Sequence, residues 1–572
     1  MSHKRRPSLL GSLLWIGIGI LLLLWNFGIG LDFWSLIGRY WPVLLILLGL
    51  GKVLEFYLKK EAISIRFGEI IGILILVLAG TLINGLSKSN FVQFFRDWQV
   101  QLGGTSVKPG QWIGESHSYT EEATYPIDHS MPIRVENSYG SISISPGSDR
   151  EIQVRLRKNI YAKESRARSI ADEIHLISEV ERNAEPASTL KPDAKPGKTP
   201  NAEYFLVQTN RDDLTSKNYM YNTDMEILVP KDSNLQVVNA FGEIRIAGIT
   251  GDLDLDASHR ALEVRDCTGG EFTITTRYAD SRLTNLTGNV AFNGRGRINL
   301  DTIKGNVRVT NEYSPTEILN VDGTVTVSNT DGNIRVEGIT ESVVIDARGS
   351  QVRVGDVKSS LKVTASHKNV DIFNIDSDVT VDSRYCTLSL KDVKGNAEIR
   401  SNSDRVSADE IQGSLKLKAR ASSIRLNRIR GPLEVQNSLK EIIVNDLSES
   451  CTISNEYADI SVSALHLDKG NLDIKNRNGG IDLFLPEGES FSINATARNG
   501  RIDTDYNGLE SVREDRTAVL RSKVRMGGPN ITLDTQYGNI HISRTSGRRA
   551  ETFSKKVKVG TFDDLNFMFD FD

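Results

Sequence analysis

The chain has 572 residues, 39% of them hydrophobic and 25% charged, with a formal net charge of −4. That length admits several domains, and the near-neutral charge excludes a dedicated nucleic-acid binder, which shows a clustered basic face. The averages join two unlike parts. Five of the six tryptophans and the long Leu/Ile runs precede Leu102, whereas Gly, Asn, Asp, Ser, Thr and Val, the residues of short strands and tight turns, dominate the remainder of the chain.

Three apolar runs, about 9–29, 36–58 and 70–86, are read as transmembrane helices of a membrane anchor spanning 1–88. The first is free of charge and long enough to cross a bilayer, and the third is near the lower limit. A signal peptide is the rival reading of the first run. No small-residue cleavage site comes after it, however, and a second span begins almost at once. Lys52 in the second run is read as snorkelling near the helix end.

Positive charge in short loops sets the orientation. His3-Lys4-Arg5-Arg6 precede the first span, Lys59, Lys60 and Arg66 separate the second and third, and the first loop carries only Arg39, beside Asp32. The N-terminus is therefore expected in the cytoplasm, and everything after Leu86 outside it, in a periplasm or at the cell surface. Residues 89–111, with Phe91, Phe94, Phe95 and Trp98, form either an interfacial segment or a linker packed on the next domain. Through Asn26-Phe27-Gly28-Ile29, Asp32-Phe33-Trp34, Trp41-Pro42 and Ile46-Leu47-Leu48-Gly49, the first two spans resemble the LiaI–LiaF-like transmembrane region of bacterial envelope-stress proteins. That resemblance implies regulation of a membrane partner, and it leaves the third span outside.

Segments beginning at Asn306, Thr324, Ser342, Ser360, Asp378, Asn396, Ser414 and Pro432 align at a spacing of 18 residues without gaps. Looser coils extend the pattern from about 251 to about 467. Each unit carries two alternating apolar pairs, such as Val325 and Val327, then Ile334 and Val336, followed by Ile339. Alternation of period two means strands with one buried face. A coil this short encloses no core alone. Stacking places each apolar residue above its counterpart and gives each backbone edge a partner at about 4.8 Å, so a dozen coils span on the order of 55–60 Å. Polar groups such as Ser328-Asn329-Thr330-Asp331-Gly332 and Ser401-Asn402-Ser403-Asp404 fill a first corner. Gly305, Gly323, Gly395, Gly413 and Gly431 recur at a second, where positive φ is expected. A propeller is the rival, but its blades need about 40 residues and four strands each.

The expected fold is therefore all-β after the anchor: a single-chain β-solenoid (β-helix) of about 18-residue coils within 112–545, preceded by three transmembrane α-helices. Ile133 to Ile144 reads as two strands around a turn, and a helix is expected from about Glu164 to Ile177, with Ile170, Ile174 and Ile177 on one face. A flexible loop covers about 184–202, and Met225 to Pro230 leads into the coils. Asp482 to Pro486 and Asn539 to Ser543 are expected to close the last coil, and 546–572 forms a loosely ordered tail.

The region from about Ile133 to Ser543 resembles the putative-adhesin family of bacterial β-solenoid domains, through "IRVENSYGSISI", "ILVPKDSNLQVVNAFGEIRIAGITGDLDLDAS" and "LFLPEGESFSINATARNGRID". The resemblance implies a non-enzymatic interaction or structural module of the bacterial envelope. A glycan-active enzyme is the further alternative, with Asp254, Asp256, Asp280 and Asp331 as its candidate carboxylates. Asp is common at turns, which is their plainer reading. His259, His367 and His466 are scattered without metal-ligand spacing, and no nucleophile elbow, phosphate loop or calcium repeat is present. No catalytic, cofactor-binding or metal-ligating residue is assigned, and no enzymatic activity is expected.

Cys267, Cys386 and Cys451 form neither a disulfide framework nor a CxxC site and read as small buried hydrophobes. The varied solvent-facing corners suit an envelope glycan or protein partner, and equally a surface that only keeps the rod soluble. The sequence sets no oligomeric state.

Overall fold

The computed structural model describes residues 100–102, 105–107 and 116–545, apart from 129–130, 183–202, 215–216, 218, 403–404 and 467–469. The expected anchor of 1–88, most of 89–111, the loop of about 184–202 and the tail of 546–572 lie outside the described residues. Among the described residues no helix is long and apolar enough to cross a membrane. Val100–Leu102 and Thr105–Val107 pair antiparallel and belong to a different compact unit from the solenoid.

From Leu235 to Phe484 the chain winds through about fourteen turns of a β-solenoid. Each turn contributes a first and a second strand, such as Val325–Thr330 and Ile334–Ile339. First strands pair in parallel with first strands, Val307↔Val325↔Val343↔Leu361, and second strands with second, Thr316↔Ile334↔Val352↔Val370. The two ladders join where Leu262–Thr276 and Ser281–Gly294 run on through the second corner. In-register stacking turns the 18-residue period into columns of like residues. The columns Val325, Val343, Leu361, Val379 and Ile334, Val352, Val370, Leu388 are all 2% exposed or less. Burying one such side chain contributes about 1.5–3 kcal/mol, so the repeated core carries the fold.

A column of left-handed residues explains the isolated apolar position at the end of each unit. Asn320, Asp356, Asn374, Asp392, Glu410 and Arg428 have φ between 51° and 62°, and Gly338 has 75°. In Ile334–Ile339 the side chains of Ile334 and Val336 point inward. One αL residue at Gly338 then resets the alternation, so that Ile339 also turns in and is fully buried. Asn, Asp and Gly dominate the column because they enter αL most easily.

The coils extend further than the sequence indicates, and both ends close in the same way. The coil Ile133–Tyr139 and Ile142–Pro146 is not outermost. It lies between Leu235–Phe241 with Ile244–Ala247 on one side and Glu203–Thr209 with Tyr221–Val229 on the other. At the other end, Asn530–Tyr537 and Ile540–Thr545 are inserted between Leu472–Asn478 with Ile481–Pro486 and the outermost Phe491–Arg498 with Ile502–Thr504. Asp482 to Pro486 and Asn539 to Ser543 are thus ordinary rungs rather than closing strands. Closure comes from antiparallel strands: Leu176–Arg182 on Glu203–Thr209, Glu151–Tyr161 on Tyr221–Val229, and Thr517–Val524 on Phe491–Arg498.

Two further expectations need correction. The helix runs only from Glu164 to Glu173, with Ile170 and Ile174 buried, and Ile177 belongs to the strand Leu176–Arg182. Its terminal carbonyls are taken by buried Lys158, which donates to Ala171 O at 3.0 Å and to Ile174 O and pairs with Glu121 at 2.7 Å. Of the second-corner glycines, Gly305 and Gly323 have the expected positive φ, at 144° and 155°, whereas Gly395, Gly413 and Gly431 do not. These three are glycines for lack of room: a Cβ on Gly413 would stand 2.4 Å from Gly395 O, and one on Gly431 2.4 Å from Gly413 O.

Candidate functional site: an aromatic corner and a basic cleft

The first corner of successive coils collects aromatic side chains that the core does not use. Tyr139, Phe241 and His259 stack in sequence with ring centroids 4.8 and 4.6 Å apart, and Tyr278 comes next at 5.6 Å. Arg211 lies 4.0 Å over the Tyr139 ring. Further along, His367 stacks on Tyr385 at 5.6 Å. Tyr278, Tyr313, Tyr385, Tyr457 and Tyr537 are 46–66% exposed, far more than packing requires.

Several of these rings sit on costly backbone. Tyr313, His367 and Tyr385 have φ of 62°, 73° and 58°, and the equivalent corner residue one coil before His367 is Gly349 at 62°. The αL conformation costs an L-residue roughly 1–2 kcal/mol, so the corner accepts glycine yet presents aromatics. Strain of this kind concentrates where function holds it in place.

Beneath the corner a ladder of buried asparagines ties coil to coil. Asn329 donates to Ser314 O at 3.1 Å, Asn455 to Lys440 O at 3.1 Å and Asn476 to Ala458 O at 2.8 Å. The ladder lapses in the middle of the stack, where the same register holds Ala347, Ala365, Ser383, Ser401 and Ala419. Above this lapse lies an open cleft of about 310 Å3, lined by Asp382, Arg384, Arg400, Asn402, Lys418 and Arg420 among others. Arg400 is held by Glu398 at 2.7 Å, and Arg384 stands 3.9 Å from Asp382. Lys418 and Arg420 make no ion pair among the described residues. On a chain whose net charge is −4, the cleft is a local positive site.

The candidate carboxylates do not converge as a set. Asp254 and Asp256 project from one strand, Leu253–Ala257, and Gln236 donates to Asp254 at 3.2 Å. Burial, and then the neighbouring Asp254, push the Asp256 carboxyl up, and Arg277 opposes them. Asp280 accepts from the Arg297 backbone N–H at 2.9 Å, a turn role, and Asp331 is a corner residue with φ of 62°. His259 and His367 belong to the aromatic corner, and exposed His466 lies 3.9 Å from Glu489. Among the described residues no three His, Cys, Asp or Glu side chains gather as a metal site. Cys267, Cys386 and Cys451 are buried and joined in no disulfide, and burial pushes the Cys267 and Cys451 thiols up, away from the reactive thiolate.

The sequence gives no sign of the outward column Asp482–His541–Asp503, which the inserted C-terminal coil assembles from three separate segments, with His541 Nδ1 3.6 Å from Asp503. The basic cleft is likewise invisible in the charge total. The signal for it is the recurrence of Arg348, Arg384 and Arg420 every 36 residues.

The architecture defines a capped β-solenoid that bears a polar and aromatic edge. The profile of the Toastrack DUF4097 family matches residues 196–543, more than half of the chain, and the protein belongs to that family. This agrees with the resemblance to adhesin-like β-solenoid domains. No curated protein matches. A crystal structure of a putative cell adhesion protein from Clostridium sporogenes aligns over 74% of this chain and 100% of its own, with 8% identity and a TM-score of 0.12. At that score the alignment carries no argument.

Proposed function

We propose that this chain is a non-enzymatic interaction module of the bacterial envelope, held in the membrane by its N-terminal helices, whose solenoid meets its partner along the first-corner edge. The observation that carries the reading is the row of exposed aromatic side chains at 313, 367 and 385 on strained backbone. Aromatic rings combine a large apolar face with a polar tip, which suits them to contact surfaces. The three apolar runs and the positive charges of the short loops support an anchor with the solenoid outside. The turn roles of Asp280 and Asp331 support a binding rather than a catalytic surface.

In this reading the LiaI–LiaF-like spans do more than hold the solenoid. Their Asn-Phe-Gly-Ile and Trp-Pro motifs favour a second role, in which occupancy of the solenoid biases a membrane partner, such as a sensor kinase.

The test uses the full chain in detergent micelles to capture envelope material, with a Tyr313→Ser/Tyr385→Ser/Tyr457→Ser variant alongside. Retention is expected to fall at least about tenfold, the equivalent of 1.4 kcal/mol, while far-UV circular dichroism is unchanged. Equal retention by the variant would remove the corner as the contact surface.

A further inference from the structure

We infer that the basic cleft binds an anionic polysaccharide lying along the stacking direction of the coils. This rests on the interaction-module reading and names its ligand class.

The column next to the corner runs Arg348, Ser366, Arg384, Asn402, Arg420 on five successive coils. Adjacent strands lie about 4.8 Å apart, so the guanidinium-bearing positions recur every roughly 9.6 Å. An extended pyranose chain advances by about one strand spacing per sugar and therefore brings every second residue to the same point of the column. Guanidinium forks bind carboxylate or phosphate oxygens in bidentate fashion, the geometry such anionic sugars require. Arg348, Lys418 and Arg420 have no acid of their own among the described residues, so their charge is open to a ligand. The small residues Ser383, Ser401 and Ala419 open the cleft where bulkier asparagines fill the corner in other coils. His367 and Tyr385 stack on each other at the corner, where Tyr385 directly follows the cleft residue Arg384, and offer aromatic surface to the apolar faces of the sugars.

The interleaved acids decide between polyanions. Asp346, Asp382 and Glu398 stand on the same strand face as the cations. They repel the dense phosphates of a nucleic acid more than a sugar chain that turns only every second charge toward the column.

The experiment measures binding of polygalacturonate, phosphorylated dextran, neutral dextran, polyglutamate and duplex DNA to the full chain in micelles, at one ionic strength and then over a salt series. At least one of the two charged polysaccharide-type polymers is expected to bind, and the tighter of the pair identifies carboxylate or phosphate as the preferred anion. Dextran, polyglutamate and DNA are expected to bind at least tenfold more weakly. The Lys418→Gln/Arg420→Gln variant, altered only at exposed positions, loses at least tenfold in affinity and shows a shallower salt dependence. Lys304→Gln, which removes a charge from the other ladder, leaves the affinity unchanged.

Failure of both anionic polymers to bind, equal binding of polyglutamate or DNA, or equal weakening by Lys304→Gln would each overturn the inference. Should envelope material still be captured through the corner tyrosines while neither polymer binds, the inference falls and the interaction reading stands. Equal capture by the tyrosine variant removes that reading whatever the polymers do.

Discussion

Two single-residue devices recur through the regular coils: the αL residue that turns the last apolar side chain inward, and the αL residue at the first corner. The first is written in the composition as Asn, Asp or Gly, yet Thr302, Glu410 and Arg428 occupy it too, at φ of 57°, 62° and 51°. Stacking pressure from the coils on either side overrides the local preference there, and no residue-by-residue propensity finds the column. The first corner was legible only as a polar turn. That Tyr313 and Tyr385 have positive φ and stay exposed is set by how the turn closes, which the sequence does not state. If these tyrosines serve binding rather than packing, Tyr313→Gly relieves about 1–2 kcal/mol of αL strain and gives back about 0.5–1 kcal/mol in unfolded-state entropy. Thermal melts should therefore show stability between unchanged and about 1.5 kcal/mol higher, alongside weaker capture of envelope material. A loss of more than about 1 kcal/mol would mark the ring as structural.

At the scale of the element, the second-strand ladder carries an ion-pair chain across successive coils. Arg335 holds Glu317 at 3.1 Å and Glu337 at 2.8 Å, and Arg353 holds Glu337 at 3.1 Å and Asp371 at 2.9 Å. Arg353 also covers the Phe373 ring at 4.5 Å, and that ring occupies the space a Cβ on Gly355 would need. Burial alone would raise the Glu337 carboxyl, but Arg335 and then Arg353 outweigh it and hold it below the usual carboxylate range. Asp371 has one arginine only, and burial leaves its carboxyl above that range.

A carboxylate whose folded pKa is depressed contributes stability above its unfolded pKa and loses it as the pH falls through the folded value. Arg335→Met should therefore cost about 1 kcal/mol at pH 7, after allowance for partial exposure, and progressively less toward about pH 3, as Glu337 takes up its proton. Melting curves at the two pH values check this, and an undiminished cost in acid would mean that Arg335 acts through packing. The 18-residue period and the buried columns were readable from the apolar alternation alone. The ion-pair chain was not, because its partners in neighbouring coils lie 16–18 residues apart and only exact register brings them together.

Over the whole solenoid, both ends are built by insertion. The coils 133–146 and 530–545 sit one place in from the edge, and antiparallel strands cover the outermost coils. This closure answers the hazard of open sheet edges, and Arg521 and Lys523 on Thr517–Val524 add charge there. Period reading could not find it, since the segments that close each end break the repeat and return out of order. The same crossing of chain order creates the Asp482–His541–Asp503 column and extends the solenoid beyond the span of 251–467 read from the repeats. Legible in the sequence at this scale were the family, through its strand motifs, and a long repeated surface.

The central claim is that recognition of the envelope partner resides in the solenoid and not in the N-terminal spans. The measurement that tests it most directly is affinity capture from detergent-solubilised membranes, comparing the full chain with one lacking residues 1–100. The account predicts that the same envelope partner is recovered by both. Loss of the envelope partner on removal of residues 1–100 would contradict it and place its recognition in the membrane-embedded segment, whereas loss of a membrane partner alone is what a role for the spans predicts.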